Sequence, residues 1–174
     1  MPSPRLNIGV LDLLSGEAKG GAAHPYALIY RRMFYGVMPQ VVAAWCRRRG
    51  HRVHYATYFG QQRPERLMPN GLDLLFISAF TEASALAYAL AILFRQNGVR
   101  TVLGGPHARS FPNDASRFFD AVVVSCDAAA IDDILRREFD PTINDGLYSP
   151  LKPNGMASRR KVRPRSAAFI SLAL

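Results

Sequence analysis

The stretch from Asp73 to Val124, DLLFISAFTEASALAYALAILFRQNGVRTVLGGPHARSFPNDASRFFDAVVV, decides the fold. Around its start, Leu72 to Ala79 is apolar nearly throughout, with Leu74, Leu75, Phe76 and Ile77 in succession. An apolar run of that length without alternation is the pattern of a central parallel strand covered on both faces. Thr81 then stands where it can cap a helix. Leu86, Leu90, Leu93 and Phe94 fall on one stripe of that helix, alanines lie between them, and Gly98 stops it. Val99 to Leu103 predicts a further strand, closed by Gly104-Gly105-Pro106. A short helix is expected over Asn113 to Phe119, and Ala121 to Val124 predicts another strand.

Outward from this stretch the same alternation continues. Leu6 to Leu13 reads as the first strand and runs into the glycine-rich loop Leu14 to Gly21. Tyr26 to Gly36 follows no single period. Val37, Met38, Val41, Val42, Trp45 and Cys46 recur at helical spacing, with Pro39 in the first turn and Gly50 as the stop. Arg52 to Tyr58 is the second strand, and Asp127 can cap a last helix with Ile131, Ile134, Leu135 and Phe139 inward. Five strands alternating with helices predict a flavodoxin-like (Rossmann-like) α/β domain. Its parallel sheet has the expected order 2-1-3-4-5, with helices on both faces. The pattern ends near residue 140. Beyond it, Pro141, Pro150, Pro153, Asn154-Gly155 and Pro164 mark residues 141–174 as a basic linker.

Composition agrees with a folded core, since 49% of the 174 residues are hydrophobic and 20% charged. The formal charge is +9, from 22 Lys and Arg against 13 Asp and Glu. Six positives between Lys152 and Arg165 face only Asp145 beyond residue 140, so five of the nine net charges belong to the tail. The body is therefore not expected to bind nucleic acid. The most apolar stretch, Leu72 to Phe94, is broken by Asp73, Thr81 and Glu82, too soon for a membrane span. Two isolated cysteines, Cys46 and Cys126, form no disulfide framework or metal knuckle, and a reducing, cytoplasmic setting is expected.

In such sheets ligands bind outside the strand C-termini, where the strand order reverses. That places the site between the loop after Asp12, with Ser15 and Gly16, and the loop of Ser78, Phe80 and Thr81. Gly104, Gly105, Pro106 and His107 stand beside them, and Ser125 marks the edge. The hydroxyls can bond a phosphate, ribose or amide, and the glycines let a flat ring approach the backbone. A lone histidine such as His107 at the start of a helix is more often a local hydrogen bonder than a ligand or catalyst. No cluster has metal-ligand spacing, and no nucleophile has an evident base, so no metal-binding or catalytic residue is assigned.

The run from Asp73 to Val124, above all Leu103 to Ala108 with Phe111-Pro112, resembles the N-terminal cobalamin-binding domain of cobalamin-dependent radical S-adenosylmethionine proteins. The resemblance covers most of Leu6 to Asp140. It implies cobalamin as cofactor, with Ser78 and its loop on the nucleotide tail and Gly104-Gly105 against the dimethylbenzimidazole. The loop after Asp12 would lie under the corrin. Three departures matter. Leu14 stands where the cobalt-ligating His of the Asp-x-His-x-x-Gly signature would be, so no ligand to cobalt comes from that position. Ser125-Cys126-Asp127-Ala128 replaces the acidic turn after the fifth strand. The Cys-x-x-x-Cys-x-x-Cys loop is absent, so an iron–sulfur cluster and S-adenosylmethionine are expected only in an intact parent. The chain then reads as a portion truncated before the radical barrel, a separate or missing partner, and not catalytic alone.

Other classes on this fold stay open. A flavin or nucleotide module would use Ser15 to Gly21 as a phosphate cradle. A degenerate or interaction domain would leave the crevice empty. A signalling receiver needs an acidic pair after the first strand and an Asp at the end of the third, where only Asp12 and Ser78 stand.

Overall fold

The computed structural model describes residues 5–14, 36–60, 63–137 and 169–170. Strands are β1 (Asn7–Leu13), β2 (Arg52–Tyr58), β3 (Leu74–Ala79), β4 (Arg100–Gly104), β5 (Ala121–Val123) and β6 (Phe169–Ile170). Helices are α1 (Val37–Arg48), α2 (Ser84–Gln96), α3 (Pro106–Ser110), α4 (Pro112–Ala115) and α5 (Ala128–Arg137). All strand pairs are parallel and the order is β2-β1-β3-β4-β5-β6. The expected five-strand order is thus present, and two tail residues add a strand beside β5. The rest of the tail, and Phe139, lie outside the described residues.

Each central strand deals its side chains to two cores, because successive residues point to opposite faces. Ile8, Val10, Leu74, Phe76, Val102 and Val123 pack with Val42, Ala43 and Cys46 of α1 and Ile131, Ile134 and Leu135 of α5. Leu11, Leu13, Leu75, Ile77, Leu103 and Val122 pack on the other face with α2, α3 and α4. The apolar run Leu74 to Ile77 is therefore buried on both sides, as a central strand requires.

Several boundaries moved. Thr81 does not cap α2; it opens a 3-10 turn, Thr81–Ala83, and no side chain caps the helix. The inner stripe of α2 is Ala87, Leu90, Ala91 and Phe94, while Leu93 is exposed. Small residues at positions 87 and 91 let the helix lie close to the sheet. The expected helix over Asn113 to Phe119 is replaced by α3 and α4, each opening on a proline in its first turn. Asp127 does cap the last helix, its Oδ1 accepting from the Ala130 N–H at 2.7 Å.

Candidate functional site: an apolar cleft at the switch point

At the C-terminal ends of β1, β3 and β4 the α1–α5 face is not closed. α1 and α5 stand apart over a cleft of about 410 Å³, including the part open to solvent. Its enclosed part is much smaller, about 50 Å³. Val10, Phe76 and Val102 form its floor, Met38 and Val42 one wall, Ile131 and Cys126 the other. Ser78, Gly104 and Gly105 line its mouth, and among the described residues no charged side chain lines it. Below it α1 and α5 are braced by the ion pair of Arg49 with Asp132, and Arg49 Nη1 also bonds the Trp45 carbonyl at 3.0 Å.

The two glycines at the mouth serve different ends. Gly105 has φ +89°, and a Cβ there would meet Ser78 Oγ at 2.9 Å and the Ala79 backbone at 3.0 Å. Only glycine fits that left-handed, crowded turn. A Cβ on Gly104 would meet nothing within 4 Å, so this backbone borders open space.

Asp12 is buried beside Ser78, its partner across the β1–β3 register. Its Oδ2 accepts from the Gly36 N–H at 2.8 Å, tying the entrance of α1 to the end of β1. A Cβ on Gly36 would lie 2.7 Å from that oxygen, which accounts for glycine at this position. Burial raises the Asp12 pKa above its ordinary value, opposed by hydrogen bonds from Gly36, Ser78 and Tyr55. Burial also pushes the Cys126 thiol up to about 11 and the Cys46 thiol up to about 12. Both are thus neutral at pH 7 and poor nucleophiles, Cys126 on the cleft wall and Cys46 in the core beneath α1.

The sequence-derived site residues divide accordingly. Ser78, Gly104 and Gly105 come together at the cleft, with Asp12 behind them. Phe80, Thr81 and Pro106 are exposed on the edge, and Ser125 is half-buried next to the lining Cys126. Ser15 and Gly16 lie outside the described residues. His107 departs from its expected place. It is 3% exposed and faces α2, with Nε2 2.7 Å from the Tyr88 hydroxyl. The turn of Gly105 swings α3 onto the α2 face and takes the ring away from the cleft. His51, at the other end of the sheet, accepts from the Leu6 N–H through Nδ1 at 3.2 Å. Among the described residues no group of three or more His, Cys, Asp or Glu can hold a metal ion, and no helix is long and apolar enough to cross a membrane.

The cleft walls were missed, because Met38, Val42 and Ile131 read as ordinary core positions. A usable signal was the even-numbered series Val10, Asp12 and Phe76, Ser78. It carries apolar residues and then polar ones to the same face at the strand ends. Val37 and Met38, at the start of α1, and Phe80, after β3, are exposed large hydrophobics at the strand C-terminal edge. Comparisons with protein-family models, with curated proteins and with solved structures gave no match.

Proposed function

We propose that the chain is a cobalamin-binding module in which the cleft between α1 and α5 takes the dimethylbenzimidazole of the cofactor. The carrying observation is a cleft whose described lining is apolar and without charge, opening at the topological switch point beneath a glycine with free space over its backbone. A neutral, flat heterocycle suits such walls, and burying it there is favourable at about 25 cal/mol per Å². Phosphate-binding crevices are instead lined by N–H groups or cationic side chains.

The residues fit the group in three respects. Ser78 stands at the mouth, where its hydroxyl can bond the nucleotide tail. Gly104 leaves the backbone open to the base. The exposed apolar side chains of Met38 and Phe80 can lie against the corrin. None of the described histidines stands at the cleft: His51 and His54 stand at the start of β2 at the far end, and His107 is buried toward α2, while Leu14 follows β1. Bound cobalamin would supply an alkyl- or electron-carrying cobalt. The chain's own part is to hold the nucleotide tail and present the corrin face to a radical barrel. That barrel, with its iron–sulfur cluster and S-adenosylmethionine, would be a partner or a further domain. Two free cysteines are consistent with a cytoplasmic setting.

Titration of the full chain with hydroxocobalamin, followed by calorimetry and visible spectra, tests this reading. One saturable site with a base-off spectrum is expected. A cooperatively folding protein that produces neither heat nor spectral change would sink it.

A further inference from the structure

A chain of four polar side chains lies on the α2 face, outside the cleft. The Tyr88 hydroxyl oxygen in α2 is 2.7 Å from Nε2 of His107 in α3, and 2.8 Å from Oδ2 of Asp114 in α4. Across the imidazole, Nδ1 faces Oγ1 of Thr81 at 3.4 Å. Aromatic contacts hold the ring in place. Phe111 lies 5.3 Å from it, and Tyr88 is stacked on Phe118 at 4.2 Å. His107 is buried, whereas Thr81 is exposed on the same edge as the mouth of the cleft.

Counting protons fixes every direction in this chain. A phenol has one proton and a carboxylate only accepts, so Tyr88 donates to Asp114. The phenol oxygen is then left to accept, and Nε2–H of His107 donates to it. A neutral imidazole protonated at Nε2 has a bare Nδ1, which accepts the Thr81 hydroxyl proton. Burial holds the imidazole pKa below its ordinary value against the opposing charge of Asp114, which keeps the ring neutral at pH 7.

We propose that this chain sets the polarity of Thr81. With its proton held inward by His107, Oγ1 meets a ligand as a hydrogen-bond acceptor and selects a neutral N–H or O–H donor, such as a primary amide, over a phosphate or carboxylate. Thr81 is the residue that touches the ligand; His107, Tyr88 and Asp114 are positioning residues. That the donor is an amide of the corrin periphery rests on the cobalamin reading, whereas the polarity itself does not.

Long-range ¹H–¹⁵N NMR spectra of the full chain test the polarity, with the His107 signals assigned by difference against His107→Gln. The unaltered chain is expected to show the Nε2–H tautomer. Tyr88→Phe keeps the stacked ring but removes the acceptor, so the proton should move to Nδ1 and the Thr81 hydroxyl should turn outward as a donor. Hydroxocobalamin is expected to bind about tenfold more weakly to Thr81→Val and to Tyr88→Phe, and within about twofold of normal to Thr81→Ser. A merely structural Tyr88 would not move the tautomer. An Nδ1–H tautomer in the unaltered chain, or Tyr88→Phe with tautomer and affinity unchanged, overturns the proposal. If the unaltered chain does not bind hydroxocobalamin, the cofactor reading falls, and the nitrogen spectra alone decide the polarity.

Discussion

The two faces of the sheet are built from the same strands and end differently. On the α2 face, alanines at 83, 87 and 91 pack with Leu75, Ile77 and Leu103, and His107, Tyr88 and Asp114 bond to one another at the edge, leaving only Thr81 facing outward. On the α1–α5 face the helices meet at the lower end through Arg49 and Asp132, then part toward the strand C-termini and leave a cleft. One face is closed along its length; the other leaves apolar surface open at the strand C-termini. Identical strand chemistry can serve both, since successive residues of one strand face opposite ways.

The largest expected difference between the faces is in their cores. Leu75→Ala empties a fully buried position under α2 and should lower stability by about 3 kcal/mol in denaturant titrations. Val42→Ala, on the cleft wall, should lower it by only about 1 kcal/mol, since its surroundings are already partly empty. Equal losses would mean that the cleft side is packed as tightly as the other.

Next come the adjacent glycines. Gly105→Ala forces a side chain into a left-handed turn against Ser78 and Ala79, and a loss of about 2 kcal/mol is expected. Gly104→Ala should leave stability within about 0.5 kcal/mol, because its Cβ meets open space. It should, however, weaken ligand binding. A large stability loss at Gly104 would break the distinction between a conformational glycine and a clearance glycine.

Asp12 sharpens the comparison through pH. Its pKa in the folded chain is raised above that of the unfolded chain, so the folded state holds this proton more tightly. Its contribution to stability is therefore most favourable at low pH and declines as pH rises above the ordinary carboxyl value of 3.8 toward the raised one. Asp12→Asn removes this titration, so stability relative to the variant should fall across that window in urea midpoints. A constant difference between the two proteins would contradict the burial of a charged Asp12.

The smallest effect concerns the brace below the cleft. Arg49 and Asp132 are partly exposed, and Arg49→Ala should cost no more than about 1 kcal/mol. Its more telling readout is ligand affinity, which should weaken if the pair sets the spacing of α1 and α5.

Much of this architecture was legible from residue pattern alone. β2 runs over Arg52–Tyr58 as the alternation of Val53 and Tyr55 predicts, and the doubly apolar β3 located the sheet centre. The misreadings have local causes. Leu93 looked like core because leucines outrank alanines in hydrophobicity, yet close helix–sheet packing selects the smaller Ala87 and Ala91. His107 looked like a site residue because it follows a strand end, but its facing depends on the backbone turn at Gly105, which periodicity does not encode. The cleft is a gap between helices about ninety residues apart in sequence, and no local pattern distinguishes its walls from core. The two residues of β6, Phe169–Ile170, are too short a segment to show any period.

The central claim is that the cleft between α1 and α5 holds the base of cobalamin. It is tested most directly by titrating the full chain in parallel with hydroxocobalamin and with cobinamide, which has the corrin but lacks the nucleotide base. Saturable binding of hydroxocobalamin is expected, with cobinamide at least about tenfold weaker because the cleft is left unfilled. Equal affinity for the two, or binding of neither by a folded protein, would contradict it.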